Sequence, residues 1–289
     1  MPEPERLDRT EPTQFTVDGV ARMLGMPVAT LRSWNQRYGI GPGRHLPGRH
    51  RHYTFDDLAV VTRMTELVRA GVTAASAAQA ARLILVPPSI LGDTEPLIAA
   101  AERIDAPVLV DLISAHLVHH GVCDTWNLLC RPAFEAITAR RPMSAECIEM
   151  EHALSWAVTT SLQRGVPAVA EVPGQTPLLL ACTEGEQHVL PLEALRAALA
   201  ERRRAAALLG TNVPTRTLFD ALARSPRSGV VVLWSQSART AAAGYIDAVD
   251  SRGGTALLAG PGWRESATAW RTRHLASLED AVTVLAPEV

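Results

Sequence analysis

Helical periodicity opens the chain and strand–helix alternation closes it. Val17, Val20, Ala21 and Leu24 fall at helical spacing behind Thr16, which suits an N-cap, and Gly25 supplies a tight turn. A second short helix is expected over 29–38, with Leu31 and Trp34 on its inner face and Arg32, Asn35, Gln36 and Arg37 outside. Gly39, Gly41, Pro42, Gly43, Pro47 and Gly48 then break any helix, and Tyr53 closes the break as a short strand. Thr54 caps a third helix, with Asp56 and Asp57 in its first turn and Val61, Met64, Leu67 and Val68 leading to Gly71. A short helix over 74–83 follows.

Val86, Pro87 and Pro88, then Gly92-Asp93, interrupt the pattern and read as a linker between domains. Beyond it the periodicity predicts four helices, roughly 94–104, 106–120, 124–140 and 144–164. Leu109, Leu112, Ile113, His116 and Leu117 share one apolar face, and Trp126, Leu129 and Phe134 another. Short connections make the helices antiparallel neighbours in a four-helix bundle. After Gly165 a Pro/Gly-rich connection leads into alternating strands and helices. Strands are expected at 178–182, 206–209, 229–233 and 255–259, helices at 188–203, 215–224, 237–252 and near 266–271, and a last element from Leu278. That alternation predicts a doubly wound parallel sheet of the flavodoxin-like kind. Ligands in such sheets bind beyond the carboxyl ends of the strands, so the loops after Cys182, Leu233 and Ala259 form the candidate site. The fold class is therefore multidomain α and α/β: a disordered arm over 1–14, a winged helix-turn-helix over 15–85, a helix bundle over 94–165 and an α/β domain over 176–289.

Charge sharpens this division. The net charge is only −2, yet arginines outnumber acids over 12–82, so a basic head sits on a neutral-to-acidic body. Every basic side chain is arginine; the absence of lysine excludes Schiff-base chemistry and any P-loop. Cys123, Cys130, Cys147 and Cys182 show no CxxC spacing and read as reduced, mostly buried thiols of a cytoplasmic protein. The first residues lack the apolar run of a signal peptide, and no apolar run approaching membrane-spanning length is expected.

In the head, the second helix carries side chains that can reach phosphates and base edges, and the arginine-loaded break that follows suits a wing against a DNA backbone. Candidate DNA-binding residues are Thr16, Thr30, Arg32, Asn35, Arg37, Tyr38, Arg44, Arg49, Arg51 and Tyr53. His45, His50 and His52 could in principle hold a metal, but with no cysteine nearby they read as solvated or phosphate-facing. The His116, His119, His120, Cys123 cluster has one pair at turn spacing; it reads as a helix C-terminus whose histidines favour the dipole.

The head resembles the MerR class of transcription regulators. The resemblance rests on Ala29, Thr30, Leu31, Arg32, Trp34, Arg37, Tyr38, Gly39, Arg51, Tyr53, Asp57 and Leu58, and it implies duplex DNA as partner. The C-terminal half resembles cobalamin-binding modules, whose motif is Asp-x-His-x-x-Gly, then Ser-x-Leu and Gly-Gly after later strands. Glu186 and His188 take the acid and histidine positions, Leu209-Gly210 to Pro214 matches a further LGxxxP element, and Gly260 and Gly262 fall where the Gly-Gly belongs. The resemblance implies His188 as the lower axial ligand of cobalt, Glu186 on its other nitrogen, and glycines that leave room for the nucleotide tail. Bundle plus sheet behind such a head is similar to the cobalamin-dependent, light-responsive repressors of CarH and LitR type. That implies adenosylcobalamin or a related corrinoid as cofactor, and a dimer or tetramer as the working form. RNA polymerase is a further expected partner. In that group a Trp-x9-Glu-His element caps the upper face; Glu151-His152 matches its end, while Arg141 and Pro142 stand where the tryptophan and its neighbour belong. Pro191 and Trp234 also depart from the module's pattern. A second reading stays open beside this one: a regulator whose sensor is cobalamin-independent and reads a partner protein or another ligand. A corrinoid carrier or methyltransferase subunit is disfavoured, because nothing resembles a substrate-binding barrel.

Overall fold

A computed structural model describes residues 15–43, 52–85, 89–140, 145–167, 169–172, 174–224, 229–264 and 272–286. The chain forms two compact units, one ending at Val86 and one beginning at Pro87.

In the first unit a two-residue strand β1 (Phe15–Thr16) pairs antiparallel with β2 (His52–Tyr53), Phe15 opposite Tyr53. Helix α1 (Val17–Leu24) starts where the Thr16 hydroxyl accepts the Gly19 N–H at 3.1 Å. It stops at Gly25, which takes the left-handed conformation that closes a helix. Helix α2 (Val28–Tyr38) ends the same way at Gly39. Helix α3 (Phe55–Arg69) opens with a reciprocal capping box between Thr54 and Asp57, and α4 (Ala74–Arg82) is capped by Thr73. Val20, Leu31, Trp34, Ile40, Tyr53 and Met64 are each buried in this unit. The expected wing at Arg44, Arg49 and Arg51, with His45 and His50, lies outside the described residues.

The second unit begins with helices α5 (Glu95–Glu102), α6 (Ala106–Asp124), α7 (Arg131–Arg140) and α8 (Ala145–Gly165), with a π-helical turn Thr125–Cys130 between α6 and α7. Arg141 and Pro142 lie outside the described residues. The expected helix end near residue 120 is a kink instead. Gly121 leaves helical geometry (φ 75°, ψ 178°), and the chain resumes as helix at once. Both carboxylate oxygens of Glu201 accept the Val122 N–H, at 3.2 and 3.3 Å, and the Thr125 hydroxyl donates to the Gly121 carbonyl at 2.6 Å. Polar groups freed by the kink are thus satisfied from outside the helix.

Two expectations change with it. Ala106–Ala139 runs on far enough, and is apolar enough, to cross a membrane by length and composition, contrary to the expectation of no such run; much of it is buried within the second unit. His116 does not decorate a helix end as a cation. It is 1% exposed, its Nε2 accepts the Gly92 N–H at 3.0 Å, and its Nδ1 therefore donates to the Thr125 hydroxyl at 2.9 Å. Burial, with His120 alongside, pushes its pKa down to about 4, so the ring is neutral. His120 bonds the Ser89 carbonyl at 3.0 Å, and no cluster of three metal-binding side chains occurs among the described residues.

The sheet has the order β4-β3-β5-β6-β7, with all pairings parallel: β3 (Leu178–Cys182), β4 (Ala207–Gly210), β5 (Val230–Trp234), β6 (Thr255–Ala259) and β7 (His274–Leu275). Helices α9 (Leu190–Glu201), α10 (Thr215–Arg224), α11 (Gly244–Asp250) and α12 (Leu278–Leu285) cover it. Helix α11 starts at Gly244 rather than near 237, because residues 235–240 are drawn into the loop cluster described below. The fifth strand was not expected, and the helix expected near 266–271 lies outside the described residues.

Candidate functional site

Strand order reverses between β3 and β5, and the loops leaving those two strands meet over Glu186. Glu186 is 3% exposed, yet its carboxylate is well served. Oε1 accepts the backbone N–H of His188 at 3.0 Å and its ring Nδ1–H at 2.5 Å; Oε2 accepts the Gln236 N–H at 2.7 Å and the Thr240 hydroxyl at 3.3 Å. Burial by itself raises a carboxyl pKa, but the hydrogen bonds from the His188 and Gln236 backbone and the His188 ring outweigh it, and the net shift is downward. The loop is further clamped from β4: Asn212 donates its N–H to the Glu186 carbonyl at 2.8 Å, and its side-chain oxygen accepts the Gly185 N–H at 2.7 Å. The buried Tyr245 hydroxyl accepts from Glu184 N–H at 2.6 Å and donates to the Val213 carbonyl at 2.7 Å.

These contacts fix the tautomer of His188. With Nδ1–H donated to Glu186, the neutral ring carries its free lone pair on Nε2, which has no partner among the described residues; the side chain is 66% exposed. Cys182 beneath it is no rival ligand: burial and then Glu186 push its thiol up to about 12. His188 opens onto a cleft of about 1180 Å³ between the sheet's loops and helices α7 and α8. Trp126, Phe134 and Trp156 face it from the helices, and Trp234, Gly260 and Leu275 from the sheet.

Glu151 lines this cleft, held by the Thr138 hydroxyl at 2.9 Å. His152 does not: it is exposed, and its Nδ1 donates to the Ile148 carbonyl of its own helix at 2.7 Å. One turn onward, Trp156 presents its ring to the cleft, 54% exposed.

Gly260 and Gly262 are closely approached by the chain itself. A Cβ on Gly260 would sit 2.4 Å from the Ser235 carbonyl oxygen and 3.2 Å from Cδ2 of the Trp234 ring. One on Gly262 would sit 2.6 Å from the Ser237 carbonyl oxygen. The space these glycines provide is taken by the chain's own 235–237 loop and by Trp234, as steric exclusion requires. The Trp234 indole N–H is buried without a partner among the described residues, a cost of about 1–3 kcal/mol that packing must offset.

In the first unit, Arg32 and Arg37 are exposed on α2 and Thr30 is half-buried. Thr16 is committed to its cap. Asn35 is engaged within its own unit: its amide donates to the carbonyls of Pro42 at 3.0 Å and Ile40 at 3.4 Å, bracing the segment that leaves the helix. Tyr38 gives its carbonyl to Arg82. Tyr53 is a core residue, 2% exposed, because pairing with Phe15 turns its ring inward against Gly41.

Residues 15–83 match the family described as MerR HTH family regulatory protein. The chain is 25% identical over 228 residues to the HTH-type transcriptional repressor CarH of Myxococcus xanthus, across 72% of this chain and 74% of that one. Identity to the repressor CarA of the same organism is 26% over 210 residues, across 70% of each. Among solved structures, the Methanosarcina barkeri monomethylamine corrinoid protein aligns at 12% identity with a TM-score of 0.49, over 66% of this chain and 95% of that one. Residues 15–83 are thus a MerR-type HTH domain, and the chain as a whole is similar to the CarH and CarA repressors.

In the second unit the sequence pattern singled out Glu186 and His188 but not the aromatic side chains that line the same cleft. Trp126 and Phe134 lie at helical spacing and read as core, and only the packing of α7 and α8 over the sheet turns them to the cleft. Thr240 and Gln236, which complete the shell of Glu186, are distant in sequence and carry no motif.

Proposed function

We propose that the chain is a DNA-binding repressor whose second unit senses a corrinoid held between the helices and the carboxyl ends of the strands. The observation that carries this reading is the Glu186–His188 pair, which leaves Nε2 as a neutral imidazole donor at the floor of the cleft. His188 would hold a corrinoid through its cobalt, which would supply a light- or ligand-sensitive metal–carbon or metal–ligand bond. Trp126, Phe134 and Trp156 offer flat apolar contact to a macrocycle, and Glu151 a polar one. Bound and free states would differ in how the cap helices sit on the sheet, and so in self-association. Paired half-sites would turn that change into a change in operator affinity, with dimer or tetramer as the binding form. A regulator of this kind acts in the cytoplasm.

The test is a visible spectrum of full-length protein mixed with a corrinoid in the dark and desalted. Retained absorbance shifted to an imidazole-ligated form, and its loss in His188→Ala, is the expected result. A cobalamin-independent sensor is the second reading, favoured by Trp234 and the 235–237 loop, which crowd the two glycines that the resemblance leaves for a nucleotide tail. It predicts no retained corrinoid of any kind.

A further inference from the structure

On the sheet side of the cleft, Trp234 packs against Gly260, one of the two glycines that the resemblance leaves for a nucleotide tail. Cys182, Trp234 and Ala259 lie level across β3, β5 and β6, so the three loops leave the sheet side by side. Trp234 is held at that level through its carbonyl, which accepts the Thr183 N–H at 3.1 Å. The next residues are stitched to the neighbouring loop: Ser235 N–H donates to the Ala259 carbonyl and Gly262 N–H to the Ser235 carbonyl, each at 3.0 Å. Ser235 Oγ lies 2.6 Å from the Thr240 hydroxyl, which also bonds Glu186, so the residue next to Trp234 and the shell around His188 share one network. The Trp234 indole N–H has no partner among the described residues, so shape and not a polar bond places the ring.

Resting on the corrinoid reading above, we infer that Trp234 is a specificity-determining residue that selects corrinoids without a nucleotide tail over complete cobalamin. The probe is cobinamide, the same macrocycle lacking the base, sugar and phosphate, against hydroxocobalamin. Affinity is read by absorbance titration and by corrinoid retained after desalting.

Wild type should bind cobinamide at least about tenfold more tightly than cobalamin. Trp234→Ser should raise cobalamin affinity about tenfold while cobinamide changes little, and Trp234→Phe, which keeps the ring's bulk, should preserve the preference. Cobalamin binding as tightly as cobinamide in wild type overturns the inference and leaves the corrinoid reading standing. An unchanged ratio in a folded Trp234→Ser also overturns it. Retention of neither corrinoid by wild type removes both. Because the wild-type comparison decides by itself, the test survives a Trp234→Ser variant that fails to fold.

Discussion

Oε1 of Glu186 lies 2.5 Å from Nδ1 of His188, while Oε2 of the same carboxylate binds the Gln236 N–H at 2.7 Å from the loop after β5. One buried acid therefore orients the ring and joins two loops. Replacing it with glutamine keeps shape but removes the charge-assisted bonds. Glu186→Gln should lower corrinoid retention about tenfold and destabilise the unit by about 1–3 kcal/mol, read by spectra and urea unfolding. Unchanged values for both would mean that the acid neither positions His188 nor ties the loops.

Acid should act on the second unit in two stages. His116 is held at about 4 against an ordinary 6.5, so the unfolded chain binds its proton first, and stability falls as pH drops from 6.5 towards 4. Glu186 is also shifted downward, which for an acid favours the charged form; its contribution is present above the ordinary 4.5 and is lost only as pH falls further, through the depressed value. His116→Gln, which cannot charge, should flatten the upper stage and leave the lower one. Unfolding midpoints from pH 7 to pH 3.5 test this, and an identical profile in the variant would refute the assignment.

Gly260 distinguishes room for a ligand from room for the chain itself. Its φ is 97°, and an added Cβ meets the Ser235 carbonyl oxygen at 2.4 Å. Gly260→Ala should cost about 2–4 kcal/mol without any corrinoid present. A variant as stable as wild type that only loses corrinoid would return the glycine to the ligand.

On the DNA side, Arg49→Ala with Arg51→Ala should weaken binding to all duplexes and reduce the slope of log K against log salt by about 1–2 units. Arg32→Ala should change which sequence is preferred. Electrophoretic titrations at several salt concentrations separate the two effects.

Asn35→Ala should behave differently from Arg32→Ala. Its amide is committed to the Ile40 and Pro42 carbonyls, so the expected loss is about 1 kcal/mol of stability, with the base preference retained. A changed base preference in a variant of unaltered stability would restore it as a reader.

The sequence by itself determined the elements and one end of the site. Thr16 and Thr54 as caps, Gly25 and Gly39 as stops, and the strands from Leu178 and Thr255 were legible because caps, turns and periodicity are local. The Glu186–His188 pair was legible because two residues of one loop carry it. Tertiary structure decided the rest. Tyr53 went to the core and Asn35 to a brace because their partners, Gly41 and Phe15 or Pro42, are chosen by chain reversal and not by neighbours. Helix α6 continued past Gly121 because Glu201, distant in sequence, supplied the acceptor that a kink needs. Gly260 and Gly262 were recognisable as places without side chains, but what fills such a place is set by the approach of another backbone. Here that is Ser235 to Ser237 with the Trp234 ring.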